Sequence, residues 1–544
     1  MRKRRLAAWI AAPLAVGLLA TGCGGGAGAG DAGDGIVSVS HTEPQNPLVP
    51  ANTTETGGGD VLDAMFTGLV AYDEQTSEPY NAVAESIESP DNTVFTIKLK
   101  PGWTFHDGSP VTANSFVRAW NYAAYAPNGQ SGASFFEHIA GFEQVNPADP
   151  DGETGPAQAP EPTAQEMSGL KVIDDLTFEV TLNAPFATFP TMLGYTAFSP
   201  MPESFFADKA GFEAHPIGNG PFQFDSRQPN AHITLSKYEQ YAGQHKPSIN
   251  GVEFRVYNEL ETAYQDLVSG NLDFVNQLPP SALVGDKWKA DLQDRGMVKP
   301  ILSNNALQLP LYDPKYQDVR VRHALSMAID RKQITETIFE GAYTPANGWV
   351  PGDAIPGYEP GACGEFCEFN PQRAKQLLDE SGFQGPVTIT SNADGGHKEW
   401  IEAICGQFKN NLGLDCVFNP VPTFAEFLKM HDENAHQGPF RFGWLGDYPA
   451  AETFLGKIYR TGASSNYMRY SSPEFDAAMD RADRAPTEEE GNRLYAEAEK
   501  VLAKDMPSIP LWNQNAVVGW SDRLEGVQVT FDRQLNLETV KLVS

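Results

Sequence analysis

Five cysteines are the residues whose spacing most directly suggests chemistry: Cys23, Cys363, Cys367, Cys405 and Cys416. With Cys23 set apart near the N-terminus, four thiols remain, an even number that can pair in an oxidising compartment. Three pairings are possible, and proximity in the chain favours Cys363–Cys367 and Cys405–Cys416. A zinc site with four cysteine ligands is the alternative, but neither pair has the two-residue spacing of a zinc knuckle. We expect two short disulfide-closed loops and no metal.

The segment before Cys23 has the layout of a secretory signal: four basic residues at 2–5, an apolar run over 6–20 and small residues at 20–22. The run is shorter than the roughly 20 residues that cross a bilayer as a helix. Small residues ending at a cysteine resemble a bacterial lipobox, although Ala20 stands where leucine is commonest. An ordinary signal peptide with an incidental cysteine is the alternative. We expect a signal peptide at 1–22, a lipid anchor at Cys23 and a flexible tether over 23–35, on the extracytoplasmic face of a cell membrane.

The spacings that common catalytic sites need are missing from the sequence. It has no Gly-x-Ser-x-Gly elbow, no His-Glu-x-x-His helix and no phosphate-binding Gly-Lys-Ser/Thr loop. The ten histidines are scattered, and His431 and His436 are five residues apart, the wrong step for one helix face. We therefore expect no catalytic residues, no cofactor and no enzymatic activity.

Composition indicates a large acidic protein with sizeable cores. The chain has 544 residues, of which 41% are hydrophobic, and its length suggests about three or four domains. Lysine and arginine total 39 against 70 aspartates and glutamates, a net charge of -31. Such a surface repels nucleic acid and offers no polybasic attachment to anionic lipid. It fits cationic or zwitterionic partners, or simply an acidic exterior, and we expect a monomer.

Strand and helix patterns alternate along the chain. Apolar and polar residues alternate over 93–100 and 176–182, which predicts half-buried strands, and Thr112 is a good N-cap for a helix between them. Further strands are predicted over 36–40, 249–257, 272–275, 387–391, 414–418, 441–445, 517–520 and 527–530. Further helices are predicted over 261–268, 319–329, 398–411 and 488–504, and an exposed loop over 146–162. This alternation indicates mixed α/β layers and not a bundle or a sandwich.

Three stretches together resemble a known family. Residues 99–113 place a strand before an Asp-Gly turn and a Thr-capped helix, and 318–331 have the family's most specific helix pattern, with Gly341 and 345–346 following. Residues 441–448 form a strand that ends in an acidic residue. In this order, from about Ile36 to the C-terminus, they resemble the extracytoplasmic solute-binding proteins of ABC transporters, in the family (family 5) that binds oligopeptides and dipeptides.

The resemblance implies a two-lobed, hinged fold of the type II periplasmic-binding-protein class, with an extra inserted domain. Domain I is expected to comprise 36–78, 207–280 and 509–544. The inserted domain II is expected over 79–206 and domain III over 281–508. It also implies a peptide ligand, held between the lobes and delivered to the permease subunits of an ABC importer.

The family's ammonium-binding acid falls on Asp447, although a solvated turn residue is the alternative. Arg441 stands where some oligopeptide binders meet a ligand carboxylate, and it could instead be an exposed strand residue. With a period of two, Arg441 shares one strand face with Gly443 and Leu445, opposite Phe442 and Trp444. The binding residues implied in this stretch are Arg441, Gly443, Trp444, Leu445, Asp447 and Tyr448.

Two other segments match positions near the ligand in the family. Asn392 and His397 lie in a loop that faces the cleft, although His397 could equally be a surface residue at a helix start. Thr54, Glu55 and Thr56 lie where domain I approaches the ligand N-terminus. The same scaffold could instead bind an oligosaccharide, a nickel complex or haem, or serve as a sensor or chaperone without transport.

Overall fold

The computed structural model describes residues 35–73, 76–149, 158–352 and 355–543. The signal peptide, Cys23 and residues 23–34 of the tether lie outside these residues, so the predictions made for them stay predictions. From Gly35 onwards the chain alternates between strands and helices, as its sequence predicts.

Nineteen strands occur in the described part of the chain. In chain order they are β1 Ile36–His41, β2 Val70–Tyr72, β3 Pro79–Asn81, β4 Ala84–Glu88, β5 Val94–Leu99, β6 Leu170–Asp174, β7 Thr177–Thr181, β8 Phe222–Gln228, β9 His232–Lys237, β10 Gly251–Val256, β11 Phe274–Val275, β12 Gly296–Gln308, β13 Thr344–Pro345, β14 Val387–Asn392, β15 Cys416–Val421, β16 Phe440–Leu445, β17 Ser508–Trp520, β18 Leu524–Glu525 and β19 Lys541–Leu542.

Seventeen α-helices lie between these strands in the described residues. They are α1 Thr56–Met65, α2 Ala113–Ala124, α3 Phe142–Val145, α4 Phe189–Met192, α5 Glu203–Ala207, α6 Lys209–Ala214, α7 Leu260–Val268, α8 Pro280–Leu283, α9 Lys287–Leu292, α10 Val319–Met327, α11 Arg331–Thr337, α12 Pro371–Ser381, α13 Lys398–Leu412, α14 Phe424–Asp432, α15 Ala451–Tyr459, α16 Pro473–Asp483 and α17 Glu488–Asp505.

The largest sheet has eleven strands, which come from segments between β1 and β17. Its order is β15-β14-β16-β12-β17-β11-β1-β10-β9-β8, with β13 paired to β17. Strand β1 is parallel to β10 and β14 is parallel to β15, whereas β12 is antiparallel to both β16 and β17. Parallel neighbours need long crossover connections, which the intervening helices supply.

Two hydrophobic cores divide the molecule into two lobes. The first lobe has its core between Val37 and Phe254 together with the C-terminal segment, and the second has its core mainly between Ala263 and Trp512. Strands β12 and β17 belong to both, because successive side chains point to opposite faces of a strand. Ile301 and Val518 pack in the first core, while their neighbours Leu302 and Val517 pack in the second. These two strands therefore join the lobes.

A separate four-stranded sheet, β4-β5-β7-β6, lies within the segment expected to form domain II. Strand β5 alternates between exposed and buried residues along its whole length, as predicted for 93–100. Helix α2 follows it with Thr112 as its N-cap, whose backbone N–H donates to Ser115 Oγ at 3.2 Å. Ser115 therefore completes a capping box with Thr112. The domain boundaries themselves stay a prediction.

The sequence pattern misses or misplaces three strands near the lobe junction. It predicts only 517–520 of the thirteen-residue β17, and it does not predict β12. Pro510 and a polar run interrupt the apolar alternation of β17, so its length depends on pairing with β12. The strand predicted over 527–530 is wrong: Gln534 N donates to Thr530 Oγ1 at 2.7 Å, and the segment turns back on itself.

Both cysteine pairs are joined in the structure. Cys363 is bonded to Cys367 with Cα atoms 5.7 Å apart, and Cys405 is bonded to Cys416 at 4.9 Å. The second disulfide links α13 to β15 and covers one side of the second core, because Cys405 is buried there. None of the described helices is both long and apolar enough to span a bilayer.

Candidate functional site

A cavity of about 500 Å³ lies between the two hydrophobic cores. Its wall includes Val39, Trp103 and Phe254 from the first core, and Phe442 and Trp444 from the second. The volume is within the range of about 300–1,000 Å³ that is typical of small-ligand sites. The two lobes therefore enclose a space in which a small molecule would contact both of them.

Strand β16 supplies the second lobe's main wall. Phe440, Phe442 and Trp444 are buried and the residues between them are half-buried, which is the predicted period of two. One edge of β16 is paired with β12 from Leu445 to Phe440. Among the described residues, β14 meets the other edge at one pair, Thr390 with Phe440. The backbone of β16 beyond Phe440 is therefore open to a further strand on that side.

Asp447 follows β16 and faces the cavity. Thr453 Oγ1 donates to Asp447 Oδ2 at 2.7 Å, and the Asp447 backbone N–H donates back to Thr453 Oγ1 at 3.3 Å. Burial raises the pKa of Asp447 to about 7, with a contribution from Glu452, against the hydrogen bonds from Thr453 and Tyr195 and the charge of Lys457. A cation placed in the cavity would favour the ionised carboxylate.

Arg441 and Gly443 act together on the same face of β16. A Cβ atom at Gly443 would lie 2.5 Å from Arg441 Nη2, so glycine leaves the room in which the guanidinium lies across the strand. Burial, followed by repulsion from Arg533, lowers the pKa of Arg441 to about 10. The side chain stays charged at neutral pH and lines the cavity, where it can meet an anionic group.

The first lobe presents the start of α1. Thr54, Glu55 and Thr56 all line the cavity, as expected from the resemblance. Glu55 is the N-cap of α1: its Oε1 accepts from the backbone N–H groups of Gly58 at 2.8 Å and Gln45 at 3.2 Å. Its carboxylate therefore already serves the helix end, and its contact with a ligand stays a prediction.

Four acidic residues of the cavity wall have no counterpart among the predicted site residues. Asp60 and Asp63 come from α1, Asp532 comes from the turn over 530–534, and Glu538 lies nearer the C-terminus. Burial and then Asp532 raise the pKa of Asp63 to about 7. Asp60 and Asp63 are three residues apart, which predicts that they share one face of a helix. The local sequence does not predict that this face, or Asp532, borders a cavity.

Three predicted residues lie away from the cavity wall. Tyr448 follows Asp447 but is fully buried, and its hydroxyl donates to Glu452. Asn392 Nδ2 donates to Asp394, whose other oxygen accepts from the Phe424 backbone N–H at 2.9 Å. Tyr448 packs in the first core and Asn392 lies inside the second lobe. Both satisfy buried polar groups there, which corrects the expectation that they line the cavity.

His397 also lies elsewhere, in a separate small cavity of about 20 Å³. Its Nδ1 accepts from Trp400 Nε1 at 3.2 Å, and burial, followed by the charges of Arg441 and Arg533, lowers its pKa well below the ordinary value. A neutral imidazole that holds a core tryptophan has a packing role. Its placement in the main cavity was therefore wrong.

Metal binding receives no support from the geometry. In the part of the chain that the structure describes, no three or more histidine, cysteine, aspartate or glutamate residues are arranged so that they could hold an ion. Both cysteine pairs outside the N-terminal segment are used in disulfides.

Comparison with known proteins identifies the family. The model for bacterial extracellular solute-binding proteins, family 5, matches residues 78–466. The chain belongs to this family. The periplasmic oligopeptide-binding protein OppA of Escherichia coli is 29% identical over 473 residues, which cover 84% of this chain and 83% of OppA. The protein is accordingly an extracytoplasmic binding protein and not an enzyme.

Solved structures confirm the fold. The murein tripeptide binding protein MppA of Escherichia coli superimposes with a TM-score of 0.84 at 24% identity, over 94% of this chain and 99% of MppA. OppA of Haemophilus influenzae, in complex with the peptide RPPGFSPFR, gives a TM-score of 0.81 at 23% identity, over 94% and 100%. The predicted family and the two-lobed type II fold are both confirmed.

Proposed function

We propose that this protein is the lipid-anchored receptor of an ABC importer and that it captures oligopeptides or dipeptides between its two lobes. The observation that carries the proposal is a buried carboxyl group, that of Asp447, in the wall of a cavity of about 500 Å³ between the two cores. A buried carboxylate is stable only with a partner, and the ammonium group of a peptide N-terminus is a suitable one.

The open edge of β16 supports a peptide over other ligands. An extended peptide can add to such an edge as another strand, so that main-chain hydrogen bonds hold it whatever its side chains. Arg441 lies on β16, the strand that leads to Asp447. It would bind the carboxylate at the other end of a short peptide. The relatives named above as oligopeptide-binding and murein tripeptide binding proteins agree with this ligand class.

Delivery to a permease requires the lobes to open and close. A ligand that touches both walls favours the closed state by its extra contacts there, and the transporter would recognise that state. Strands β12 and β17 join the lobes and supply the hinge. The anchor at Cys23 would keep the receptor close to the permease in the membrane.

The assignment of Asp447 is tested with a tripeptide and its N-acetylated form, by isothermal titration calorimetry. Asp447→Ala should weaken binding of the free-amine peptide by about 30- to 1,000-fold, because its ammonium loses a desolvated charge partner. Binding of the acetylated peptide should change little. Asp379→Ala, an exposed acid on α12, is the matched control. Equal losses for both peptides would reject the role of Asp447.

The ligand class and the anchor need separate experiments. Native mass spectrometry of freshly purified protein should find bound peptides; finding only sugars or a metal would overturn the peptide assignment. Cys23→Ser should release the protein from membranes into the medium or periplasm, and the lost mass should correspond to acyl chains. Unchanged membrane attachment of Cys23→Ser would reject the anchor.

A further inference from the structure

The cavity wall has more acidic side chains than are required to bind a single ammonium group. Among the described residues it includes six acidic side chains, Glu55, Asp60, Asp63, Asp447, Asp532 and Glu538, but only one lysine and one arginine, Lys100 and Arg441. The ammonium of Lys100 already donates to two backbone carbonyls, of Asn81 and Ala82, at 2.7 and 2.8 Å. The excess of negative groups is therefore left for a ligand.

Asp60 is the least satisfied of these acids. It is 9% exposed, it faces the cavity, and it accepts no hydrogen bond from any residue that the structure describes. One ionisable neighbour is His41, whose Nδ1 lies 3.6 Å from Asp60 Oδ2. Because His41 Nε2 donates to the carbonyl of Gly57 at 2.7 Å, a neutral His41 presents a lone pair at Nδ1. Burial lowers the pKa of His41 to about 4, so the ring is neutral.

The charges behind this wall do not neutralise it. Arg533 lies close enough to lower the pKa of Asp60, but burial and the carboxyls of Asp532 and Asp63 outweigh it and hold that pKa well above its ordinary value. The Arg533 guanidinium itself donates to Gln277. An additional positive group in the cavity would therefore be stabilised at Asp60 and its neighbours.

Asp63 connects this acidic wall to Asp447. Tyr195 hydrogen-bonds to Asp447, and the next residue, Thr196, donates its hydroxyl proton to Asp63. Besides burial, the charges of both Asp447 and Asp63 raise the pKa of the Tyr72 and Tyr195 hydroxyls, so the two carboxyl groups lie around the same part of the cavity. One amino acid can thus place its α-ammonium at Asp447 and its side chain beside Asp63 and Asp60.

We infer that the cavity selects peptides whose first residue is basic, with the α-ammonium at Asp447 and the side-chain cation of lysine or arginine between Asp63 and Asp60. This inference rests on the proposed function, because it assumes a peptide with a free N-terminus. It adds a second recognition site, formed by α1 of the first lobe, to the site on the second lobe. The first residue of the ligand then has two positive groups, the α-ammonium and the side-chain cation.

The probes are Lys-Ala-Ala and norleucine-Ala-Ala, which differ in the side-chain charge but not in length. The wild-type protein should bind the lysine peptide about 10- to 100-fold more tightly, the range expected for a charged hydrogen-bonded partner. Asp60→Asn and Asp63→Asn should each reduce this preference severalfold and change the affinity for the norleucine peptide less than about twofold. Ala-Lys-Ala and Ala-norleucine-Ala should bind alike, because the side chain that differs between them is at the second residue and not beside Asp60 and Asp63.

The outcomes separate this inference from the proposed function. If the wild type binds both first-residue probes equally, or prefers norleucine, the inference is wrong and peptide binding stands. If neither tripeptide binds, the proposed function fails and the inference fails with it. A lysine preference that survives both substitutions would overturn the assignment to Asp60 and Asp63. Asp379→Asn serves as the charge-matched control, and the wild-type comparison decides the question even if a variant does not fold.

Discussion

Two groups of charged side chains in this protein, one in the cavity wall and one at the contact between the lobes, have opposite surroundings. In the cavity wall, Asp447 and Asp63 receive few hydrogen bonds, and burial raises the pKa of each to about 7. At the contact between the lobes, Lys457 Nζ donates to Glu137 Oε1 at 2.9 Å and to the Ser134 carbonyl at 3.3 Å. Burial alone would raise the pKa of Glu137, but Lys457, His138 and Arg460 outweigh it and the pKa lies at about 2.

The comparison shows that burial does not by itself decide the state of an acid. Glu137 has an ammonium group beside it and stays ionised, whereas Asp447 and Asp63 accept no hydrogen bond from a cationic side chain in the described part of the protein and take up protons near neutral pH. At the lobe contact the protein itself supplies the counter-charge of the acid. In the cavity wall the counter-charge has to come from a bound cation. An acid with a structural role has its counter-charge within the protein, whereas an acid that binds a ligand receives its counter-charge from that ligand.

Removal of the interlobe partner should have the largest effect. Lys457→Met leaves Glu137, whose side chain is 36% exposed, without its counter-charge. The free energy of unfolding should fall by about 1–3 kcal/mol, less than for a fully buried pair, because water partly solvates the carboxylate. The Glu137 contribution should be fully present above about pH 4.5 and be lost as the pH falls towards about 2, because its folded-state pKa is depressed. Urea unfolding of the wild type and the variant measures both effects.

The double variant Lys457→Met/Glu137→Leu provides the control for this pair. Since it removes both charges, it should recover much of the lost stability. If Lys457→Met alone lowers the free energy of unfolding by less than about 1 kcal/mol, the Lys457–Glu137 ion pair does not stabilise the lobe contact as proposed.

The empty cavity should respond in the opposite direction when its acid is removed. Asp447→Asn abolishes an ionisation that burial opposes, so at pH 8 the ligand-free variant should be more stable by about 1–3 kcal/mol. The gain should shrink towards pH 4, where the wild-type carboxyl is already protonated. Thermal unfolding across this pH range tests it, and a destabilised variant at pH 8 would refute the unpaired state of Asp447.

Peptide affinity should increase with pH below neutrality. A cationic ligand favours the ionised carboxylates, so binding releases protons, and affinity should rise about tenfold between pH 5.5 and 7 while the peptide α-amino group, with a pKa near 8, stays charged. Glu452, Lys457 and Tyr195, which surround Asp447, contribute to its pKa. Calorimetry in buffers of different ionisation enthalpy measures the protons released. A flat pH profile would show that the cavity acids are already ionised before binding.

The smallest effect is expected for a surface pair of the same chemistry. Lys171 and Glu179 are 3.0 Å apart, but their side chains are 68% and 33% exposed. Lys171→Met should therefore change the free energy of unfolding by less than about 1 kcal/mol, since water already solvates both charges. This variant calibrates the Lys457 measurement, because a comparable loss at both sites would remove the distinction between them.

Local sequence signals were sufficient for many elements of the fold. The alternation over 93–100 predicts β5, Thr112 predicts the start of α2, and the apolar stripe over 319–329 predicts α10. Each of these depends on interactions within a few residues, as side-chain periodicity and helix capping do. The family pattern around 441–448 likewise indicated a strand that leads to an acid, and β16 and Asp447 lie where that pattern puts them.

Long-range pairing explains what the pattern missed. β12 and most of β17 are strands because they pair with each other, and neither has a clear alternation of its own. The turn over 530–534 replaces a predicted strand for a similar reason, since its hydrogen bonds are made within the segment. Contacts between residues about 200 positions apart leave little trace in either local sequence.

The sequence alone determined the family, the alternating α/β elements and an acid at the end of β16, because each depends on neighbouring residues. Tertiary structure decided which acids share a cavity: it brought Asp60 and Asp63 of α1 together with Asp532. It also placed Tyr448 in the first core, and Asn392 and His397 inside the second lobe. The reason is that a charge becomes a binding group only when burial removes its water and the fold withholds a partner, and both conditions are set by residues distant in the chain.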